Sequence, residues 1–311
     1  MSPSVRQRGI ALMLVMWVLT LLTVMAVGLT AAQRTEVALT DNHVETVRFR
    51  LLADAALAYA ALNFMTQPSE TDAEATTAET GTAIWLPNGA PHSWWFAGTD
   101  LRISVFNEMS RINLNQAEPE LLESLLRALD VPEDEANALA SAITDWRDED
   151  DLARLNGAED GDYKQAGLAF GAKDEPFVAV EELRQVLGMT PDIYRRLAPE
   201  VTVEGEGEAL AEKFASPAVL AATQGISLEA AREQVAERDQ TTVPGSTGPR
   251  TLDRGGPLYR ILVREGSSGR QGRRMEAVVE VMSGQQPPYL VRWRRFGLGP
   301  EQSADPEVND G

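Results

Sequence analysis

Residues 10–29 read IALMLVMWVLTLLTVMAVGL, an uncharged stretch that decides the fold class of this chain. At a rise of about 1.5 Å per residue, a helix of this length crosses roughly 30 Å of hydrocarbon. We therefore predict a transmembrane helix at 10–29. Arg6 and Arg8 precede it without an acidic residue, so we expect the N-terminus to stay cytoplasmic and most of the chain to cross the membrane. A cleavable signal peptide is the alternative, although its apolar core is usually only about 7–15 residues.

The helix has no reason to stop at the membrane surface. No proline occurs between Pro3 and Pro68, and apolar or small residues recur every three, four or seven positions from Val37 to Met65. That spacing makes one stripe on a helix. We predict a single helix from Ile10 to Met65, with an amphipathic continuation at 30–65.

Four segments alternate apolar and polar residues, as half-buried strands do. They are Asp100–Met109, Pro257–Glu265, Arg273–Ser283 and Pro288–Phe296. We predict an α+β fold in which they form an antiparallel sheet. We expect the nearby aromatic residues Trp94, Trp95 and Phe96 to lie in the core, with a partner-binding patch as the alternative. The predicted domains are an α/β head at 66–109 and 250–297, which begins with a loop at 66–83, an inserted all-α domain at 110–249, and a flexible acidic tail at 298–311.

The stretch between the strands contains an internal repeat of helix, short turn and helix. The turns are predicted at 129–132, 187–190 and 224–227. Thr190 and Ser227 stand where a helix N-cap belongs, and Leu125, Leu183 and Leu220 precede the turns and should pack across them. The pattern resembles helix-hairpin-helix units, but none of the turns has the Gly-x-Gly pair that such units use on DNA.

Composition excludes several functions. The net charge is −19 and there is no cysteine, so nucleic acid, thiolate metal sites and cysteine nucleophiles are all disfavoured. No Gly-x-Ser-x-Gly, His-Glu-x-x-His or P-loop pattern occurs, and we expect neither catalytic residues nor enzymatic activity.

The basic leader ending in Gly9, followed by the long helix, resembles type IV pilins and pseudopilins. The resemblance implies that residues 1–9 are a class III leader peptide. It also implies that prepilin peptidase cleaves between Gly9 and Ile10 and N-methylates Ile10. The anchor would then lie in a bacterial inner membrane, with the bulk of the chain in the periplasm.

One departure from the pilin pattern narrows the resemblance. Most pilins carry glutamate as the fifth mature residue, whereas this chain has Leu14. A subunit without that carboxylate is poorly suited to sit beneath a neighbour's buried amine, because an unpaired buried charge is costly. Leu14, the RINLN segment (111–115) and GPLYRI (256–261) resemble the K family of type II secretion minor pseudopilins.

That resemblance implies a protein at the tip of the pseudopilus. It would help to initiate assembly with the minor pseudopilins I and J and other pseudopilins, and so promote export of folded proteins across the outer membrane. A stand-alone, membrane-anchored periplasmic protein that binds calcium or another ligand is the alternative.

Eight acidic residues crowd the 19 residues from Asp145 to Tyr163. Oxygen ligands without histidine or cysteine suit Ca²⁺. The resemblance to the K family likewise implies that the helical domain holds calcium. A solvated acidic loop is the alternative. The predicted ligands are Asp148, Asp150, Asp151, Glu159 and Asp160, with Asn156 as a neutral candidate.

Overall fold

The computed structural model describes residues 8–65, 85–205, 207, 209–241, 255–266, 272–282 and 284–298. The predicted leader up to residue 7, the predicted loop at 66–83 and the predicted tail after Leu298 lie outside the described residues. The chain divides into two compact units, Met1–Asp54 and Ala55–Gly311, and each is described by itself. The predicted domain boundaries stay predictions.

The first unit contains most of helix α1, which runs without a break from Arg8 to Met65. Its segment Ala11–Thr30 has a mean hydropathy of 2.5, and none of it is buried. This segment has the length and composition of a single-pass membrane anchor. The predicted helix is therefore confirmed, and it ends at Met65, as the spacing of its apolar residues predicts.

The second unit is built around an antiparallel sheet with the order β1-β2-β5-β6-β7 among the described residues. The four alternating segments form its strands β2, β5, β6 and β7. β3 and β4 make a separate, two-residue parallel pair. The strands are β1 (Asn88–Phe96), β2 (Thr99–Asn107), β3 (Ile112–Asn113), β4 (Val201–Thr202), β5 (Leu258–Glu265), β6 (Arg273–Val281) and β7 (Tyr289–Leu298).

The aromatic run before β2 is where the sequence prediction is wrong. It forms the edge strand β1, and Trp95 is 71% exposed and Phe96 44% exposed. Side chains alternate direction along a strand, so Trp94 leaves the opposite face from Trp95 and stacks on Tyr59 of α1, with ring centroids 5.0 Å apart. Phe96 lies on the same face as Trp94 and stacks on it at 4.7 Å. Because β1 lies at the edge of the sheet, it has a neighbouring strand on one side only, and its side chains are covered less than those of a central strand.

Between β2 and β5 in the chain lie the helices that the repeat predicts, so the expected α+β fold with an all-α insertion is confirmed. Their apolar sides share one core, in which Leu125, Ile143, Tyr163 and Leu197 are fully buried. We call this part the helical domain. Its helices are α2 (Pro119–Ala128), α3 (Glu133–Arg147), α4 (Asp160–Gln165), α5 (Pro191–Leu197), α6 (Pro217–Gln224) and α7 (Leu228–Thr241).

The three predicted turns join helices as expected, with one difference. The first helix of the middle repeat is a 3₁₀ helix, Val180–Gln185. Leu125, Leu183 and Leu220 are buried next to the turns. Thr190 Oγ1 accepts a hydrogen bond from the Ile193 amide at 3.2 Å, which satisfies a donor at the start of α5.

Candidate metal centre

The acidic loop begins at Asp145, in the last turn of α3. Asp145 faces the core side of that helix and is completely buried. Its Oδ2 accepts hydrogen bonds from the Arg154 amide at 3.1 Å and the Ala158 amide at 2.9 Å. This carboxylate therefore folds the following loop back against the end of α3.

Gly157 makes that close approach possible. A Cβ atom at position 157 would lie 1.9 Å from Asp145 Oδ2, a distance that no side chain tolerates. The preceding residue, Asn156, adopts a positive φ of 66°, and its side-chain amide donates to Asn137 Oδ1 at 3.0 Å. The loop is thus pinned to α3 by hydrogen bonds of its backbone and side chains as well as by its charges.

Folding the loop back gathers three carboxylates. Asp145, Asp148 and Glu159 each offer an oxygen, and these oxygens all lie within 4.8 Å of one another. Asp148 follows the end of α3, and Glu159 stands immediately before α4. Residues up to fourteen positions apart in the chain thus meet at one point.

Several oxygens at this point are buried and accept no hydrogen bond. They are Asp145 Oδ1, Asp148 Oδ1, Glu159 Oε1 and Asp174 Oδ1. Arg154 is a nearby cation, with its Nε 3.4 Å from Asp145 Oδ1 and a nitrogen 3.6 Å from Asp148 Oδ2. A buried carboxylate oxygen without a partner costs about 1–3 kcal/mol or more. One half-exposed arginine therefore offsets only a small part of the cost of burying these four oxygens.

The electrostatics show the same shortage of positive charge. Burial and the negative charges of Asp145 and Asp174 raise the pKa of Glu159 from its ordinary value of 4.5 to about 7. Burial also raises the pKa values of Asp145, Asp148 and Asp174. Each group is harder to ionise in the folded protein than in water, and a bound cation would favour the ionised carboxylates and so lower these pKa values.

The predicted ligands fall into two groups. Asp148 and Glu159 belong to the cluster. Asp150 Oδ1 accepts from the Leu152 amide at 2.9 Å, and Asp160 pairs with Lys164 Nζ at 3.2 Å, both outside the cluster. Asp151 is exposed, but its charge contributes to the raised pKa values of Glu159 and Asp174.

Sequence reasoning missed two contributors. Asp145 is not among the predicted ligands, although it lies three residues before Asp148 and therefore near it at the end of α3. Asp174 lies beyond the acidic stretch, and no local pattern indicates its place.

The cluster fits a hard divalent cation. Carboxylate oxygens without nitrogen or sulfur ligands are what Ca²⁺ and Mg²⁺ prefer, and the unpartnered oxygens leave lone pairs available. Asp145, Asp148 and Glu159 would supply ligands, with Asp174 nearby as additional negative charge.

The described residues thus combine a long N-terminal helix, apolar enough at its start for a membrane anchor, with an antiparallel sheet that carries a helical insertion, which is the expected pilin-like fold. Residues 105–206 match the model of the family described as type II secretion system, protein K. This stretch of the chain is thus similar to the protein K family.

Individual proteins of the same description are similar over a longer part of the chain. The type II secretion system protein K of Klebsiella pneumoniae is 28% identical over 221 residues, and the match covers 63% of this chain and 62% of that protein. The protein K of Pseudomonas aeruginosa is 29% identical over 228 residues, with 70% and 68% covered. The match thus spans somewhat less than two thirds of the Klebsiella protein.

A solved structure has a similar fold. The GspK-GspI-GspJ complex from the type 2 secretion system of enterotoxigenic Escherichia coli contains a chain that matches 81% of this one and 99% of its own length. The TM-score is 0.50 and the sequence identity 18%, so this similarity concerns the fold.

Proposed function

We propose that this protein is a minor pseudopilin that stands at the tip of a type II secretion pseudopilus and helps to initiate it. The observation that carries the proposal is the match of residues 105–206 to the protein K family, in a chain that also has the apolar N-terminal helix a pilin-like subunit needs. Its work is structural, promoting the export of folded proteins without catalysis of its own.

The partners follow from the solved relative, which is a complex of GspK with GspI and GspJ. We expect this chain to assemble with the corresponding I and J minor pseudopilins and with other pseudopilins. A helical domain inserted between β2 and β5 adds bulk to the head, and such bulk suits the end of a filament better than its repeating shaft.

Membrane insertion and processing complete the proposal. The arginines before the span favour a cytoplasmic N-terminus, so the sheet and the helical domain would lie in the periplasm. Prepilin peptidase would cut between Gly9 and Ile10, which fall within α1, and methylate the new amine of Ile10. Leu14, exposed on the helix, would mark the tip position because it supplies no carboxylate to a neighbour's amine.

Calcium belongs to the same proposal. The ion would be held by Asp145, Asp148 and Glu159, whose oxygens converge, and it would neutralise carboxylates that the described residues leave under-compensated. Its role would be to stabilise the helical domain, since a cation that binds only the folded state adds to its stability.

Processing and assembly test the proposal together. The protein is expressed with prepilin peptidase and the I and J pseudopilins of its own secretion system, and the membranes are solubilised in detergent. We expect a mature chain that begins at N-methylated Ile10 by intact-mass analysis and that co-purifies with both partners. A stand-alone ligand-binding protein would begin at Met1, or after a signal-peptidase site, and would purify alone.

A further inference from the structure

Three arginines lie directly opposite one another across neighbouring strands. In the registers of the sheet, Arg102 of β2 pairs with Arg264 of β5, and Arg264 pairs with Arg274 of β6. Side chains opposite each other on antiparallel strands leave the same face with Cβ atoms about 4.5–5.5 Å apart, and like charges there destabilise the sheet. We call these three residues the arginine row.

None of the three arginines forms an ion pair within the described part of the chain. Other arginines of the same sheet do, such as Arg260 with Glu108 and Arg292 with Glu280. The protein has 47 acidic residues against 28 lysines and arginines, so acids are plentiful elsewhere. The three adjacent arginines therefore make a positively charged patch on a protein whose net charge is negative.

One end of the arginine row opens into a cleft. Arg274 lines this cleft, which has a volume of about 700 Å³ and lies between the sheet and the helical domain. Across the cleft, the guanidinium of Arg184 stacks on the ring of Tyr194 at 4.2 Å. The arginines that line the cleft are Arg111, Arg184, Arg195, Arg260, Arg274 and Arg295.

Six arginines and three glutamates line this cleft, and four of the arginines are ion-paired, which leaves Arg184 and Arg274 without an acidic partner among the described residues. Burial and the charge of Arg260 lower the pKa of Arg111 to about 10, as expected where cations crowd together. Leu262 and Trp293 add apolar surface to the same lining. A ligand that carries carboxylates and apolar groups together matches this mixture.

We propose that the arginine row and the adjoining cleft bind an extended acidic segment of a partner protein. Guanidinium groups hold carboxylates through paired, charge-assisted hydrogen bonds, and Arg184 is held in place by its stacking on Tyr194. Binding would relieve the repulsion along the arginine row. The inference goes beyond the tip-subunit role and is independent of the metal centre.

The dimensions favour a peptide over a small anion. Neighbouring strands are spaced about 4.7–4.9 Å apart, so the arginine row extends roughly 10 Å from Arg102 to Arg274, where it joins the cleft. An extended peptide with carboxylates at alternate residues presents them along one face. Nucleic acid fits poorly, because the glutamates of the cleft and the net charge of −19 repel phosphates.

The experiment uses the full-length protein in detergent micelles and fluorescence anisotropy. The probe is a short fluorescent peptide in which glutamate alternates with valine, and the control peptide has glutamine in place of glutamate. The test variant is Arg184→Gln with Arg274→Gln. Its matched control is Arg127→Gln with Arg232→Gln, which removes the same charge from exposed helix positions outside the cleft.

We expect the glutamate peptide to bind and the glutamine peptide not to bind. The test variant should weaken binding about tenfold or more, because hydrogen bonds to charged groups are lost, whereas the control variant should change it less than about twofold. Arg264→Gln should raise the melting temperature of the protein without peptide, since it removes repulsion with both neighbours.

Other outcomes would overturn the proposal. Equal binding of both peptides, or equal weakening in the two double variants, would mean that the row and cleft do not recognise the carboxylates. Competition by inorganic phosphate at the concentration of the peptide would mean that the site takes any small anion. A lower melting temperature for Arg264→Gln would remove the repulsion on which the argument depends.

Discussion

Glu108 and Arg260 form a buried ion pair although they lie 152 positions apart in the chain. Arg260 Nε donates to Glu108 Oε2 at 2.7 Å, and the hydroxyl of Thr202 donates to Oε1 of the same carboxylate at 2.6 Å. Glu108 directly follows β2, Arg260 lies on β5 and Thr202 on β4. The pair therefore ties together the two points where the chain leaves and re-enters the sheet around the helical domain.

Removing the cation should destabilise the protein strongly. Arg260→Gln leaves the fully buried Glu108 with Arg111, 3.5 Å away, as its one remaining cationic partner among the described residues. Breaking one side of a buried pair typically costs about 3–5 kcal/mol, whereas an exposed pair contributes about 0–1 kcal/mol. Urea unfolding should show that loss for Arg260→Gln. The exposed pair on the same sheet, tested by Arg292→Gln, should show almost none, and equal losses would contradict the distinction.

The same variant should also change the pH dependence of stability. Burial alone would raise the pKa of Glu108, but the charge and hydrogen bonds of Arg260 hold it below its ordinary value of 4.5. In the parent protein this group therefore favours the folded state above that value and loses its contribution as the pH falls below it. Without Arg260, burial raises the pKa of Glu108. Protonation of Glu108 at lower pH then removes the unpaired buried charge that destabilises the variant. Denaturation curves between neutral pH and pH ~4.5 should show the difference between parent and variant shrinking as the pH falls. A constant difference would show that Glu108 keeps its low pKa without Arg260.

A methyl group at Gly157 should disturb the acidic cluster. It would enter the space occupied by Asp145 Oδ2, and overpacking of this kind costs about 1–3 kcal/mol. Gly161, in α4 of the same region, has no atom within 4 Å of its ideal Cβ. Gly161→Ala should therefore be neutral or stabilising by about 0.5–1 kcal/mol. Thermal unfolding of the two alanine variants compares them directly, and similar effects would contradict the close contact with Asp145.

The parts of the fold that depend on local pattern could be predicted from the sequence. The end of α1 at Met65, four strands of the sheet and all three helical turns follow from apolar spacing and capping residues. Strand β1 does not follow, because NGAPHSWWF carries Pro91 and little alternation, as an edge strand with an irregular register tolerates.

The site was only partly predictable, because its contacts are not local. Acidic density indicates the loop at 145–162, but the choice among its carboxylates depends on how the loop folds back onto α3. Asp145 is selected by hydrogen bonds from the Arg154 and Ala158 amides, and Asp174 comes from outside the stretch. The arginine row likewise depends on strand register, which connects residues more than 160 positions apart.

The apolar residue at position 14 gives a test of the tip role. Leu14→Glu would restore the carboxylate that shaft subunits use, and we expect secretion to fall or the protein to enter the filament shaft. Val15→Glu is the matched control, because both positions put a charge at a similar depth of the span but only position 14 would be the fifth residue of a chain cut after Gly9. Filament labelling and a secretion assay should separate the two variants. If they behave alike, the effect is only that of a charge in the membrane.

Calcium dependence is the decisive measurement for the metal centre. At a hundredfold excess over its Kd, an ion that binds only the folded state adds about 2.7 kcal/mol to the free energy of unfolding. For a domain of about 150–250 residues, that raises the melting temperature by roughly 5–10 °C. We expect that rise with calcium and a smaller one with magnesium, which resists dehydration and demands stricter octahedral geometry. Thermal scans of the full-length protein in detergent, with chelator or with each metal, measure both.

Replacing one carboxylate at a time by its amide identifies which carboxylates bind the ion. Glu159→Gln removes a ligand whose Oε1 accepts no hydrogen bond among the described residues, so the calcium response should largely disappear. The metal-free variant should be more stable than the parent, because the neutral amide would no longer repel Asp145 and Asp174. Asp150→Asn lies in the same loop but outside the cluster and should keep most of the response. If Asp150→Asn abolishes the response and Glu159→Gln does not, the ion binds at the loop surface instead. If the parent melts at the same temperature with and without calcium, the cluster is no calcium site, while the tip-subunit proposal stands on the family match and the anchor.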